Sequence, residues 1–178
     1  MSTETGQVIQ DIGFVYQQQR RLAENAAAQL NDEEFFRALD AESNSVGVIM
    51  KHVGGNLRSR WTDFLTSDGE KPDRNRAGEF LVQGETRADV LRVWESGFSV
   101  LEHTLRTLSD TDLTRTVLIR AEPCTVSQAL ARNVAHVAHH AGQVVFLAKM
   151  LCGPRWKTLS IPRGTSTQVL GNFWATTR

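Results

Sequence analysis

The chain has little of what most directly points to a partner. Its only cysteines, Cys124 and Cys152, form no CxxC pair and no disulfide framework, which fits reduced thiols in a reducing compartment. Lys plus Arg equals Asp plus Glu at 20 each. With no basic run longer than a doublet, there is no electrostatic footprint for nucleic acid or an anionic membrane. No segment approaches the roughly 20 apolar residues that span a bilayer. The opening MSTETGQVIQDIGF has neither the cationic start nor the apolar stretch of a secretory signal. A cytoplasmic location is therefore expected, with neither nucleic acid nor membrane as a partner. With 40% apolar residues over 178 positions, one domain covering 1–178 can bury a substantial core.

What is present is helical periodicity. Val8, Ile12, Val15, Leu22, Ala26 and Leu30 recur at helical spacings and predict an amphipathic helix over residues 5 to 30. Asn31 to Asp40 reads as a polar joint clipped by Phe35-Phe36. A second helix is predicted over 42 to 66, on Val46, Ile49, Val53, Leu57 and Phe64, and SDGEKPDRNRAGEF after it reads as a surface loop. Leu91, Trp94, Phe98, Leu101, Leu105 and Leu108 step by threes and fours, the seam of a third helix. TVLIR, from Thr116 to Arg120, is short and β-branched enough for an extended piece, turned by Glu122-Pro123. Thr125 with Gln128 three residues on is a capping box opening a fourth helix, and Gly153-Pro154 closes it. The expectation is an all-α protein: a four-helix bundle with a short C-terminal extension, from Trp156 through VLGNFW, packed on it or on a partner chain.

Three of five histidines, His136, His139 and His140, crowd into the apolar fourth helix. Its seam runs 126, 130, 133, 137, 140, 144, 147, 151, and is Val or Leu except at Asn133 and His140. An unpaired buried amide or imidazole costs on the order of 1–3 kcal/mol, so each exception requires a partner. His136 and His140 are i and i+4, one face of a helix, and can reach a single ion. His52 in the second helix is the candidate third ligand, with small neighbours Gly55, Asn56 and Ser59 leaving room for a pocket wall. The plainer alternative is that all are satisfied core or surface histidines. HxxxH with Val137 after its first histidine lacks the glutamate of a zincin. His139 is read as a flank residue and His103 as solvent-exposed. The cysteines lie 12 residues outside the pair on either side, roughly 18 Å along a helix, and cannot join it. The loop charges Asp68, Glu70, Lys71, Asp73, Arg74, Arg76 and Glu79 read as a solvated, mutually paired surface, and no carboxylate shares the face of His136 and His140.

The segment HVAHHAGQ, the upstream NSVGVIMKHVGGNLRSRW, the loop SRWTDFLTSDGEKPDRNRAGEF and the downstream KTLSIPRG together resemble the DinB-like metalloprotein superfamily, and within it a subgroup of uncharacterised bacterial proteins with this loop. The resemblance covers nearly the whole chain. It implies a four-helix bundle, usually a homodimer, with a divalent ion held by His52, His136 and His140. It also implies relatives that act as metal-dependent transferases and isomerases using a low-molecular-weight thiol. Zinc, nickel and iron all suit imidazole ligands. Two functions then compete. Three neutral imidazoles leave an ion open positions, as a thiol transferase or small hydrolase acting on a small-molecule substrate requires. Alternatively the ion is structural and the bundle is a binding or dimerisation module.

Overall fold

The computed structural model describes residues 6–161. Among these the backbone is mostly helical, with five α-helices and a two-stranded antiparallel sheet. The order is α1 (Gln7–Ala27), α2 (Asp32–Phe36), α3 (Val46–Trp61), α4 (Arg87–Thr107), β1 (Thr116–Ile119), β2 (Glu122–Thr125) and α5 (Val126–Cys152). The four long helices stand where the periodicity predicts them. α3 packs most extensively on α4, α1 on α5, and α3 also meets α5. No helix among the described residues is long and apolar enough to cross a membrane.

Side-chain caps set where the helices begin. The Ser45 hydroxyl accepts the Val48 N–H at 3.2 Å, and Thr86 with Asp89 forms a capping box at the start of α4. Thr125 and Gln128 form the expected box on α5. α5 ends at Gly153, whose φ of 52° with ψ of −125° is a backbone shape only glycine adopts easily. The polar joint after α1 holds more order than its composition suggests: Asn31 and Glu34 make a capping box that starts α2, and this short helix drives Phe35 fully into the core.

Two apolar stripes differ from the predicted ones. On α1 the core takes Ile9, Tyr16, Ala23, Ala26 and Ala27, leaving Val8 47% exposed. Ala26 and Leu30 are buried and Ile12 packs on the core as predicted, while at Val8, Val15 and Leu22 the buried position falls one residue on, at Ile9, Tyr16 and Ala23. On α5 the seam begins as predicted, at Val126, Leu130, Asn133 and Val137, and then moves to Ala141, Val144, Ala148 and Cys152. A real helix drifts by roughly 20° per heptad against a strict seven-residue repeat, so His140, Leu147 and Leu151 end at the edge of the core.

The extended piece at Thr116 is half of a hairpin. Val117 pairs with Cys124 and Ile119 with Glu122. The turn is made by Arg120 and Ala121 at φ 57° and 62°, rather than by Glu122-Pro123, which lie in β2. Neither residue is a glycine, and the Asp68 carboxylate supports the turn by accepting the N–H of Arg120 at 2.8 Å and of Ala121 at 2.6 Å. The Gly69 N–H donates to the Leu118 carbonyl at 2.8 Å. The charged loop after α3 is thereby tied to the hairpin. At the C-terminal end Trp156 and Leu159 pack on the core. The Gln29 side chain brackets Lys157, donating to its carbonyl at 3.0 Å and accepting its N–H at 2.7 Å. The VLGNFW segment lies outside the described residues.

Candidate metal centre

α3 packs against α5, and His52 of α3 meets His136 and His140 of α5 where they touch. One nitrogen from each lies within 4.8 Å of the others. His52 Nε2 is 3.2 Å from His136 Nε2, and the ring centroids of His136 and His140, one turn apart on α5, are separated by 4.6 Å. Ligand atoms about 2.0–2.1 Å from a shared ion at tetrahedral or right angles are about 2.8–3.4 Å apart, so the His52–His136 edge has the length of a coordination edge. His139 is exposed on the flank and touches only the edge of the group, through His140 at 5.3 Å. His103 is exposed on α4, and Cys124 and Cys152 stand apart as free thiols.

The protonation of the group is set by its surroundings. His52 Nδ1 lies 2.9 Å from Glu79 Oε2. A carboxylate only accepts, so His52 Nδ1 carries a hydrogen, and Nε2 is the ring atom turned toward the other imidazoles. Burial works against the charged form of Glu79, but the hydrogen bonds from His52 and Arg74 and the charge of Arg74 outweigh it and hold the carboxyl below its ordinary value. Arg74 grips Glu79 with Nε at 2.8 Å and Nη2 at 2.7 Å, and reaches Glu70 with Nη1 at 3.1 Å. His140 donates from Nδ1 to Gln143 Oε1 at 2.7 Å, which leaves Nε2 with the lone pair. Burial above all, then the neighbouring His140, His52, Arg74 and Arg60, pushes His136 down to about 3. Burial also lowers His140, against the opposing hydrogen bond to Gln143. His52 Nε2 and His136 Nε2 meet at hydrogen-bond distance, and imidazole nitrogens grouped this closely are a donor set that a divalent cation can take up when it displaces the shared hydrogen. His136 Nδ1 is buried without a partner.

Glu79 and Arg74 correct the reading of the loop. Both belong to the segment expected to be solvated surface, yet Glu79 is 7% exposed and the Arg74 side chain 4%. The 3₁₀ turn Ala77–Phe80 carries Glu79 beneath His52 and lays the Phe80 ring against it, centroids 4.6 Å apart. A carboxylate therefore does reach the site, from the loop rather than from α5. The one sequence signal for it is Gly55, beside which Glu79 packs: a Cβ there would overlap Glu79 Oε1. Of the three small residues read as a pocket wall, only Asn56 lines the cavity next to the imidazoles. Ser59 accepts the Lys71 N–H at 3.0 Å and so helps to anchor the loop.

The other exception in the α5 seam, Asn133, is fully served. Its Oδ1 accepts from Tyr16 at 2.9 Å and from Trp61 Nε1 at 3.0 Å, and its Nδ2 donates to Asn56 Oδ1 at 2.9 Å. This knot fixes α1, α3 and α5 one turn from His136.

Fold and site together define a mostly helical protein with a three-histidine group that could hold a metal ion. The chain belongs to the family described as Protein of unknown function (DUF1572), whose model matches residues 4–165 and which is grouped in the DinB-like clan. No curated protein and no solved structure matches it.

Proposed function

We propose that the chain is a single-domain, DinB-like four-helix bundle that binds a divalent ion through His52, His136 and His140 and acts as a metal-dependent thiol transferase on a small-molecule substrate. The observation that carries the reading is the grouping of three imidazole nitrogens within 4.8 Å of one another, with His52 oriented by the hydrogen bond from its Nδ1 to Glu79. A structural knot has no need of three imidazoles converging at one point, whereas an ion can use a nitrogen from each. When bound, the ion would supply Lewis acidity, the property that lets a thiol ionise near neutral pH. Glu79 orients His52 and raises its basicity through the Nδ1–H bond, and Arg74 holds Glu79 in place. Zinc, nickel and iron are the ions that suit three imidazoles.

His52 and His136 form part of the wall of a cavity, and this favours a reactive ion over the alternative of a non-catalytic metal-stabilised binding or dimerisation module. A small hydrolase is the other enzymatic reading; it would need a general base positioned toward that cavity, and Glu79 is already committed to His52 and Arg74. Association as a homodimer is part of the proposal and is checked by light scattering. The functional test is transfer of a low-molecular-weight thiol to a generic electrophile by tag-free, metal-loaded protein. Activity that is lost on chelation and restored by one of the three ions is expected. A protein that retains its ion but responds to no thiol, in rate or in the spectrum of its cobalt-substituted form, would leave the structural role in its place.

A further inference from the structure

Next to the imidazoles lies a cavity of about 220 Å³, and five of its ten lining residues are arginines: Arg60, Arg74, Arg76, Arg120 and Arg132. They arrive from four parts of the chain, namely α3, the loop after it, the hairpin turn and α5. Arg74 is committed to Glu79 and Glu70, and Arg120 reaches Glu70 at 3.3 Å. Arg60, Arg76 and Arg132 form no ion pair among the described residues. No carboxylate lines the cavity among those residues either, and the nearby Glu79 and Glu70 are both held by Arg74. Asn56, its amide oxygen taken by Asn133, has only its NH₂ left to offer. The wall is thus built of donors and positive charge.

Arg60 is the residue that solvation cannot explain. It is 6% exposed, and its Nε is buried with no partner. A guanidinium that faces a cavity beside other guanidiniums, with one nitrogen buried and unpartnered and no carboxylate paired to it, is costly, and a cost of that kind is offset by a bound anion. Burial first, and then the charge of Arg132, weaken its hold on the proton, with Glu70 opposing. Guanidiniums converging from separate elements match the several oxygens of a phosphate or carboxylate group. We infer that this cavity binds the oxyanion of a small-molecule ligand and presents the rest of that molecule to His52 and His136. The volume is below the roughly 300–1,000 Å³ of sites for drug-sized ligands, so the occupant is a small molecule or the charged end of one. That the ligand is the substrate rests on the function proposed above; that an oxyanion binds does not.

The test is calorimetric titration of tag-free protein, metal-loaded and chelator-treated, with inorganic phosphate and separately with succinate, in chloride buffers of matched ionic strength. Saturable binding of at least one anion is expected in both forms, phosphate alone marking a phosphate ligand and succinate alone a carboxylate. Arg132→Gln and Arg76→Gln, both at exposed positions whose replacement leaves the core intact, are expected to weaken that binding by about 10- to 100-fold each without changing metal content. Arg92→Gln, on the exposed face of α4 and paired with Asp89, should change neither. Absence of saturable binding by both anions, or binding indifferent to Arg132 and Arg76, overturns the inference. The two readings fail separately: anion binding that persists in a protein that takes up no metal would sink the metal centre alone, and metal uptake without anion binding would sink the oxyanion site alone.

Discussion

The same two helices, α3 and α5, build two polar clusters one turn apart in the core, and the clusters differ in one respect. In the knot around Asn133, Tyr16, Trp61 and Asn56 each meet a partner at 2.9–3.0 Å. In the cluster around His136, two buried atoms, His136 Nδ1 and Arg60 Nε, meet none, and they are the only such side-chain atoms among the described residues. A satisfied cluster specifies how helices pack. An unsatisfied one, in an otherwise saturated interior, has donors and acceptors left over for a water, an ion or a ligand.

The comparison can be broken most forcefully at the knot. Asn133→Ala leaves the Tyr16 hydroxyl and the Trp61 N–H buried without their acceptor, at about 1–3 kcal/mol each. Denaturant unfolding is expected to show a loss of about 3–5 kcal/mol, whereas Arg60→Met, at a residue with no partner to lose, should leave stability within about 1 kcal/mol of the parent. Equal losses at the two sites would erase the distinction.

The next effect falls on the outer support of the imidazoles. Glu79→Gln keeps an acceptor for His52 but removes the charge that Arg74 grips, and metal affinity is expected to fall about 10- to 100-fold with the fold retained. An unchanged affinity in a competition titration would reduce Glu79 to a packing role.

A third effect separates the clusters by pH. His136 is held down at about 3 in the folded chain, against an ordinary 6.5. A depressed pKa means that its contribution to stability is intact above 6.5. That contribution is lost as pH falls from there toward 3, because the unfolded chain takes up a proton that the folded chain refuses. The metal-free protein should therefore weaken over that window, and His136→Gln should flatten the dependence, as seen in melting temperature against pH. Parallel curves for parent and variant would show that the imidazole is not held neutral by burial. The smallest effect belongs to neither cluster: Thr125→Ala removes the cap of α5 and should cost about 1 kcal/mol, with metal content unchanged.

These differences also explain what could be read from the sequence. His52, His136 and His140 were legible, the α5 pair from i,i+4 spacing and His52 from its small neighbours and the family resemblance, because helical periodicity maps directly onto a face. The helices and the Thr125 and Gly153 boundaries were legible for the same reason. Glu79 was not: SDGEKPDRNRAGEF has the composition of solvated surface, and its burial depends on the anchoring of Asp68 to the hairpin turn and on the space beside Gly55. The five arginines of the cavity were equally hidden, since a balanced net charge says nothing of charges brought together from residues 60 to 132. The one-residue error on α1 arose where apolar residues adjoin, as at Val8-Ile9 and Val15-Tyr16, and periodicity alone does not choose between neighbours.

Whether the three imidazoles, and not the neighbouring polar knot, hold an ion can be counted. Metal content per chain, measured on tag-free protein after loading and dialysis, tests it most directly. About one divalent ion per chain is expected in the parent and in His103→Ala, and a loss beyond the 10- to 100-fold affinity change typical of outer partners in each of His52→Ala, His136→Ala and His140→Ala. Stoichiometric metal surviving all three substitutions would contradict a metal centre at the three imidazoles.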